Sequence, residues 1–148
     1  MSPADTRPAN RALVLGTAAF TACFFAWSML GPLGPDLQEE VGLSELELAI
    51  VIAVPVLMGS LMRVPLGILT DRLGGRPVFV GLMAFTLLPL AALAAVHSSL
   101  WALLAFGFLL GFAGASFAVG VPFVSRWFPR ERQGAALGIY GAGMGGTV

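Results

Sequence analysis

"LMRVPLGILTDRLGGRP", residues 61–77, sets an arginine inside an apolar run and then closes on a knot of glycines and charges. An apolar run that carries Arg63 and gives way to Asp71, Arg72 and Arg76 reads as a membrane helix leaving the bilayer through a polar turn. Composition agrees. The chain is 57% hydrophobic and 11% charged with mean hydropathy +0.89, against about half apolar and a quarter charged in soluble domains. All eight basic residues are arginines and the net charge is zero, which gives no argument for a nucleic-acid partner. Cys23 is alone in an apolar run, so neither a disulfide framework nor a metal site is indicated and it reads as a small packed hydrophobe.

Working outward, uncharged stretches run over 12–35, 48–62, 78–96, 98–125 and 133–148. A membrane-spanning helix needs about 20 mostly apolar residues. The first, third and fourth stretches meet that length, and the second does so by continuing through Arg63 to Leu69. The expected architecture is all-α and integral to the membrane: a tail at 1–11, then helices near 12–33, 47–69, 78–96, 100–125 and 134–148. The fifth stretch, "GAALGIYGAGMGGTV", reaches Val148 without a polar exit. The expectation is therefore a truncated bundle whose remaining helices are its partners, along with lipid. A signal peptide at the N-terminus is disfavoured, because its apolar core is about 7–15 residues and leads into a soluble domain.

The arginines report topology, since cytoplasmic loops carry the excess of Lys and Arg. Arg7 and Arg11 precede the first helix, Arg72 and Arg76 follow the second, and Arg126, Arg130 and Arg132 follow the fourth. The intervening loops, "GPLGPDLQEEVGLSELE" and "HSS", hold no Lys or Arg, and the first carries Asp36, Glu39, Glu40, Glu45 and Glu47. This alternation predicts a multi-pass protein of the cytoplasmic membrane with its N-terminus inside. Trp27, Trp101 and Trp127 fall near helix ends, where anchoring at the interface is expected. Ser44 followed by Glu47 predicts a capping box opening the second helix. His97 reads as a solvated residue of an outer turn.

Arg63 is the arginine left in the membrane, about 10 Å inside the inner end of its helix at ~1.5 Å per residue. Two readings stay open. One is snorkelling to the headgroups, against an insertion cost of about 2.5–3.5 kcal/mol at mid-helix. The other turns Arg63 inward, because Gly59 and Gly67 flank it on the same helix face and small residues mark packed sides. An inward guanidinium in a wet cavity is a fixed charge with a planar donor fork, suited to a planar oxyanion. In the fourth helix Gly107, Gly111, Gly114 and Ala118 form a smooth stripe for close helix packing, with Phe117 beside it. In the fifth, Gly138, Gly141, Gly143 and Gly145 allow close packing or expose backbone to a ligand.

Two motifs carry a resemblance. "GILTDRLGGR", residues 67–76, resembles the cytoplasmic motif of the major facilitator superfamily, Gly-x-x-x-Asp-Arg-x-Gly-Arg-Lys/Arg. The resemblance implies the first helices of a twelve-helix transporter whose two halves rock about a midplane site. It implies that Gly67 allows close helix approach, that Asp71 engages the facing half and loop arginines, and that Arg72, Gly74 and Arg76 complete a conformational switch. "LMRVPLG" and "GFAGASFAVGVPFVSRWFPRERQGAALGIYGAG", residues 61–67 and 111–143, are similar to the nitrate/nitrite porters within it. By that resemblance Arg63 binds the anion with a second arginine from the other half, Phe117 stacks on the flat ion beside Gly114, and the glycine-rich fifth helix is a signature segment. At Met144, within "GAGMGGT", those porters usually have an asparagine.

Apart from Glu47 at the outer end of the second helix, no Asp or Glu lies inside the expected spans, which argues against a carboxylate proton relay in this half. The expected function is secondary transport of nitrate or nitrite by alternating access. The alternatives are a carrier of another small anion such as a carboxylate, a drug exporter, or a fragment that only associates with other helices. No nucleophile, metal or phosphate-loop constellation indicates an enzyme, and no cofactor is expected. Isolated serines such as Ser116 and Ser125 are expected to bond to helix backbone.

Overall fold

The computed structural model describes residues 3–96 and 98–147, with side chains for 7–96 and 98–145. His97 and Val148 lie outside the described residues, and so does the outer-turn reading of His97. Every regular element among the described residues is a helix. Helix α1 covers Pro3–Ser28, α2 Gly34–Val41, α3 Glu45–Leu73 and α4 Gly75–Ala95. The fourth long helix is composite: α5, Leu100–Leu110, passes through a 3₁₀ segment, Gly111–Ala115, into α6, Ser116–Ser125. Helix α7, Arg130–Ala142, continues as a 3₁₀ segment over Gly143–Thr147.

Four of these units are long and apolar enough to cross a bilayer: Arg7–Ser28, Glu45–Leu73, Gly75–Ala95 and Leu100–Ser125. At ~1.5 Å per residue the 29 residues of α3 reach past a hydrocarbon layer about 30 Å thick. The α5–α6 unit sits at the centre of the bundle. Half of its most apolar window is buried, against 22% for α3, whose outer face carries exposed Leu57, Leu61 and Val64.

Several boundaries differ from those read in the sequence. The first helix starts at Pro3, not 12, so most of the tail expected at 1–11 is helical, and it stops at Ser28, not 33. The acidic connection contains α2, whose start Pro35 favours with its fixed φ and which ends on Gly42 at φ 73. The second helix extends to Leu73, so Asp71 and Arg72 stand on its last turn instead of in a loop. The fifth helix begins at Arg130, after Pro129, and not at 134. Ser44 does open α3 with a capping box: its Oγ accepts from the Glu47 amide at 3.3 Å, and the Glu47 carboxylate accepts from the Ser44 amide at 2.8 Å.

Contacts give the helix directions. Pro55 lies against Gly107 and Gly111, Gly59 against Gly114, and Asp71 against Arg126, so α3 and α5–α6 run the same way. Helix α1 opposes them, with Trp27 at Gly114 and Gly16 at Phe123 and Val124. Arg7, Arg11, Arg72, Arg76, Arg126, Arg130 and Arg132 therefore gather at one end of the bundle and acidic α2 at the other. Two buried clusters follow the same axis. Leu13, Phe20, Val78, Phe79, Leu82, Val119, Val124 and Tyr140 fill the arginine-rich half. Leu30, Leu37, Leu43, Val51, Leu93, Leu103 and Leu110 fill the acidic half.

Candidate functional site

The arginine-rich end is built around a turn between α3 and α4 made possible by two glycines with different jobs. Gly74 has φ 90, a region that side chains disfavour, and its amide returns to the Thr70 carbonyl at 2.9 Å. Gly75 lies so close to α6 that a Cβ would sit 2.5 Å from Phe123 Cβ. The superfamily motif quoted above has an arginine at the place of Gly75, and here that place faces Phe123. Asp71 bonds to Arg126 at 3.4 Å, with side chains 70% and 54% exposed. A pair that wet contributes at most about 1 kcal/mol, so its use is in joining the ends of α3 and α6 and not in stability. Arg72 and Arg76 form no ion pair among the described residues. Gly67, expected to allow close helix approach, has open space where a Cβ would stand.

Arg63 is exposed on α3 and forms no ion pair among the described residues. Its two flanking glycines are not equivalent. Gly59 is buried in a seam with the 3₁₀ segment, where a Cβ would meet Trp27 Nε1 at 3.1 Å, the Gly111 carbonyl at 3.2 Å and Gly114 Cα at 3.3 Å. Arg63 thus stands where one face of α3 passes from close packing to open space.

Gly114 belongs to the same seam. A Cβ on it would come within 2.6 Å of Trp27 Nε1, so its missing side chain is filled by the indole. Trp27, expected at the membrane interface, is instead a bundle residue whose Nε1 donates to the Pro55 carbonyl at 2.9 Å. Trp101, 78% exposed, stands on the outside. Phe117, about one turn past Gly114, is 41% exposed. Its ring lies 5.6 Å from Phe20 and 5.8 Å from Tyr140. From the contact of Gly59 with Gly114, Arg63 is four residues along α3 and Phe117 three along α6 in the same direction. At ~1.5 Å per residue both lie about 5–6 Å from that contact, hence at one level of the bundle.

The glycines of α7 divide. Gly143 is buried against α1, where a Cβ would meet Thr21 Oγ1 at 2.7 Å, and its carbonyl accepts from Thr21 Oγ1 at 3.0 Å. Among the described residues, Gly138, Gly141 and Gly145 have nothing within 4 Å of a Cβ. Of the two serines expected to bond to backbone, Ser125 does so, donating to the Pro122 carbonyl at 3.2 Å. Ser116 does not: its Oγ is buried without a partner among the described residues.

Tyr140 escaped the sequence reading. It is fully buried, stacks on Phe20 at 4.8 Å, and its hydroxyl donates to the Ser116 carbonyl at 3.1 Å. The signal was present: it is the only tyrosine in the chain, in an apolar glycine-rich segment where a phenolic hydroxyl must find an acceptor.

Comparison with known proteins adds the context of this geometry. A sequence profile described as Major Facilitator Superfamily matches residues 16–148. The "Probable nitrate/nitrite antiporter NarK1" of Thermus thermophilus is 48% identical over 137 residues, covering 93% of this chain and 31% of the relative. The "Probable nitrate/nitrite transporter NarK2" of Mycobacterium tuberculosis is 40% identical over 138 residues, covering 92% and 35%. The "Probable nitrate transporter NarT" of Staphylococcus aureus is 41% identical over 136 residues, with the same coverage of 92% and 35%. The chain spans about a third of the length of these curated relatives.

Proposed function

The chain belongs to the major facilitator superfamily, and from that membership we propose that it forms the N-terminal part of a secondary transporter for nitrate, nitrite or both. The relatives carry those anions in their names and align along nearly all of this chain. The observation that supports a site here is the common level of Arg63 and Phe117. An unpaired guanidinium supplies two parallel donors to a planar oxyanion, and a half-open aromatic ring at the same level supplies a flat wall.

In this reading Arg63 needs a counter-charge that this bundle does not provide among its described residues, and the travelling anion is that charge. Gly114 serves indirectly, by letting Trp27 close on the helix that presents Phe117. The Asp71–Arg126 pair joins the ends of two helices within this half at the arginine-rich end, and its low energy leaves Asp71 free to exchange Arg126 for a partner on the facing half as the two halves rock. That end faces the cytoplasm, with the N-terminus on the same side.

The test is nitrate uptake into proteoliposomes by the full-length protein, comparing wild type with Arg63→Lys, which keeps the charge and loses the planar fork. Uptake is expected to fall at least about tenfold, the loss of one bidentate charged contact. Undiminished uptake would return Arg63 to the headgroups. Uptake of a carboxylate in place of nitrate by the wild type would keep the fold and change the cargo.

A further inference from the structure

We infer that Tyr140 is a positioning residue for Phe117, its hydroxyl clipping the Ser116 carbonyl so that the Phe117 ring is held at a fixed angle toward the anion path. The inference rests on the proposed role of Phe117 and concerns how that ring is held. Three aromatic rings meet where α1, α6 and α7 converge. Phe20 and Tyr140 are fully buried and stacked, and Phe117 is the one of the three with an open face. The two buried rings form the wall behind Phe117.

The hydroxyl determines more than volume does. Ser116 is the first residue of α6, where the chain passes from 3₁₀ to α geometry, and Phe117 follows it directly. Short 3₁₀ segments have poorer hydrogen-bond geometry than the α-helix and recur at hinges. The buried Ser116 Oγ has no partner among the described residues, and the side chain does not brace this junction there. The Tyr140 hydroxyl does, at 3.1 Å from the Ser116 carbonyl. Gly120, one turn further along α6, leaves the ring its path, because a Cβ there would overlap the Tyr140 hydroxyl. A bracing contact from α7 thus reaches the peptide beside the ring that would touch the ion. A phenylalanine at 140 would keep the stack and lose the brace.

The experiment uses the full-length transporter with Tyr140→Phe, alone and with Phe117→Ala. In the single variant the nitrate KM is expected to rise about fivefold with little change in maximal rate, the size of one neutral hydrogen bond. On the Phe117→Ala background the same change should leave KM unmoved, because a residue acting through Phe117 has nothing left to position. Equal effects on the two backgrounds would overturn the inference. In parallel, 4-fluorophenylalanine at position 117 reports the ring without any ligand. Its fluorine line should shift or broaden in Tyr140→Phe, and an unchanged line would overturn the inference even where KM moved. A wild type that transports no nitrate would defeat the functional reading alone, since the fluorine line still decides whether Tyr140 sets the ring.

Discussion

The composite α5–α6 unit and α7 carry similar glycine spacing, yet the fold uses the two sets differently. Gly107, Gly111 and Gly114 are buried in the seam with α3 and α1, where each missing side chain is replaced by Leu30, Pro55, Met58 or Trp27. Gly138, Gly141 and Gly145 on α7 and its 3₁₀ extension have nothing within contact distance of a Cβ among the described residues. Spacing alone marks a helix side along which something can approach closely. What approaches is decided by large residues far away in the chain.

The sharpest way to break the comparison is to add one methyl to the closed set. In Gly111→Ala the Cβ would stand 2.5 Å from Met58 Cβ and 2.9 Å from the Pro55 carbonyl, so backbone must move. Overpacking of this kind costs about 1–3 kcal/mol. The variant of the full-length protein is expected to show a lower unfolding temperature in detergent and less monodisperse protein. Wild-type behaviour would mean that the seam is looser than its distances imply.

A smaller effect, and a more specific one, is expected at Gly114. Its Cβ would strike the Trp27 indole, so Gly114→Ala should destabilise through the tryptophan. Trp27→Phe alone should cost about 1 kcal/mol by removing the donor to the Pro55 carbonyl. Combining the two should cost less than their sum, since the smaller ring leaves room for the methyl. Additive unfolding temperatures would mean that the alanine is felt by α3 and not by Trp27.

These contacts also show which parts of the molecule were legible in the sequence. The four long apolar units followed from hydropathy because lipid imposes a composition on every residue of a span. The Ser44 cap was legible because both of its partners lie within one turn. The glycine stripe of the fourth helix was legible as a packing surface, while its occupant was not. Trp27 illustrates the reason: its distance from a helix end suggested the interface, and only the crossing of α1 over the Gly59–Gly114 seam turns it inward. The 3₁₀ break at Gly111–Ala115 and the Tyr140 clip depend likewise on neighbours remote in sequence. Arg63 was legible as an oddity of type and position, and its common level with Phe117 needed the helix directions.

At the arginine-rich end, Asp71→Asn should separate stability from movement. Both side chains of the pair are more than half exposed, so the unfolding temperature should change little, corresponding to less than about 1 kcal/mol. Nitrate uptake should fall if the contact times the rocking of the halves. A large drop in stability with proportionate loss of uptake would show that the pair is structural.

The smallest effect on the bundle itself is expected on the open set, and there its sign carries the information. Replacing Gly138 by alanine removes conformational freedom from the unfolded chain and meets no atom of the described structure, so α7 should gain about 0.5–1 kcal/mol. In the full-length transporter that gain should persist if the face of Gly138 looks onto lipid. If another helix or the anion comes against that face, the methyl should instead lower nitrate uptake, as a methyl on Gly111 lowers stability. Measuring uptake and unfolding temperature together on Gly138→Ala distinguishes the cases, because a lipid-facing glycine leaves uptake unchanged and an occupied one does not.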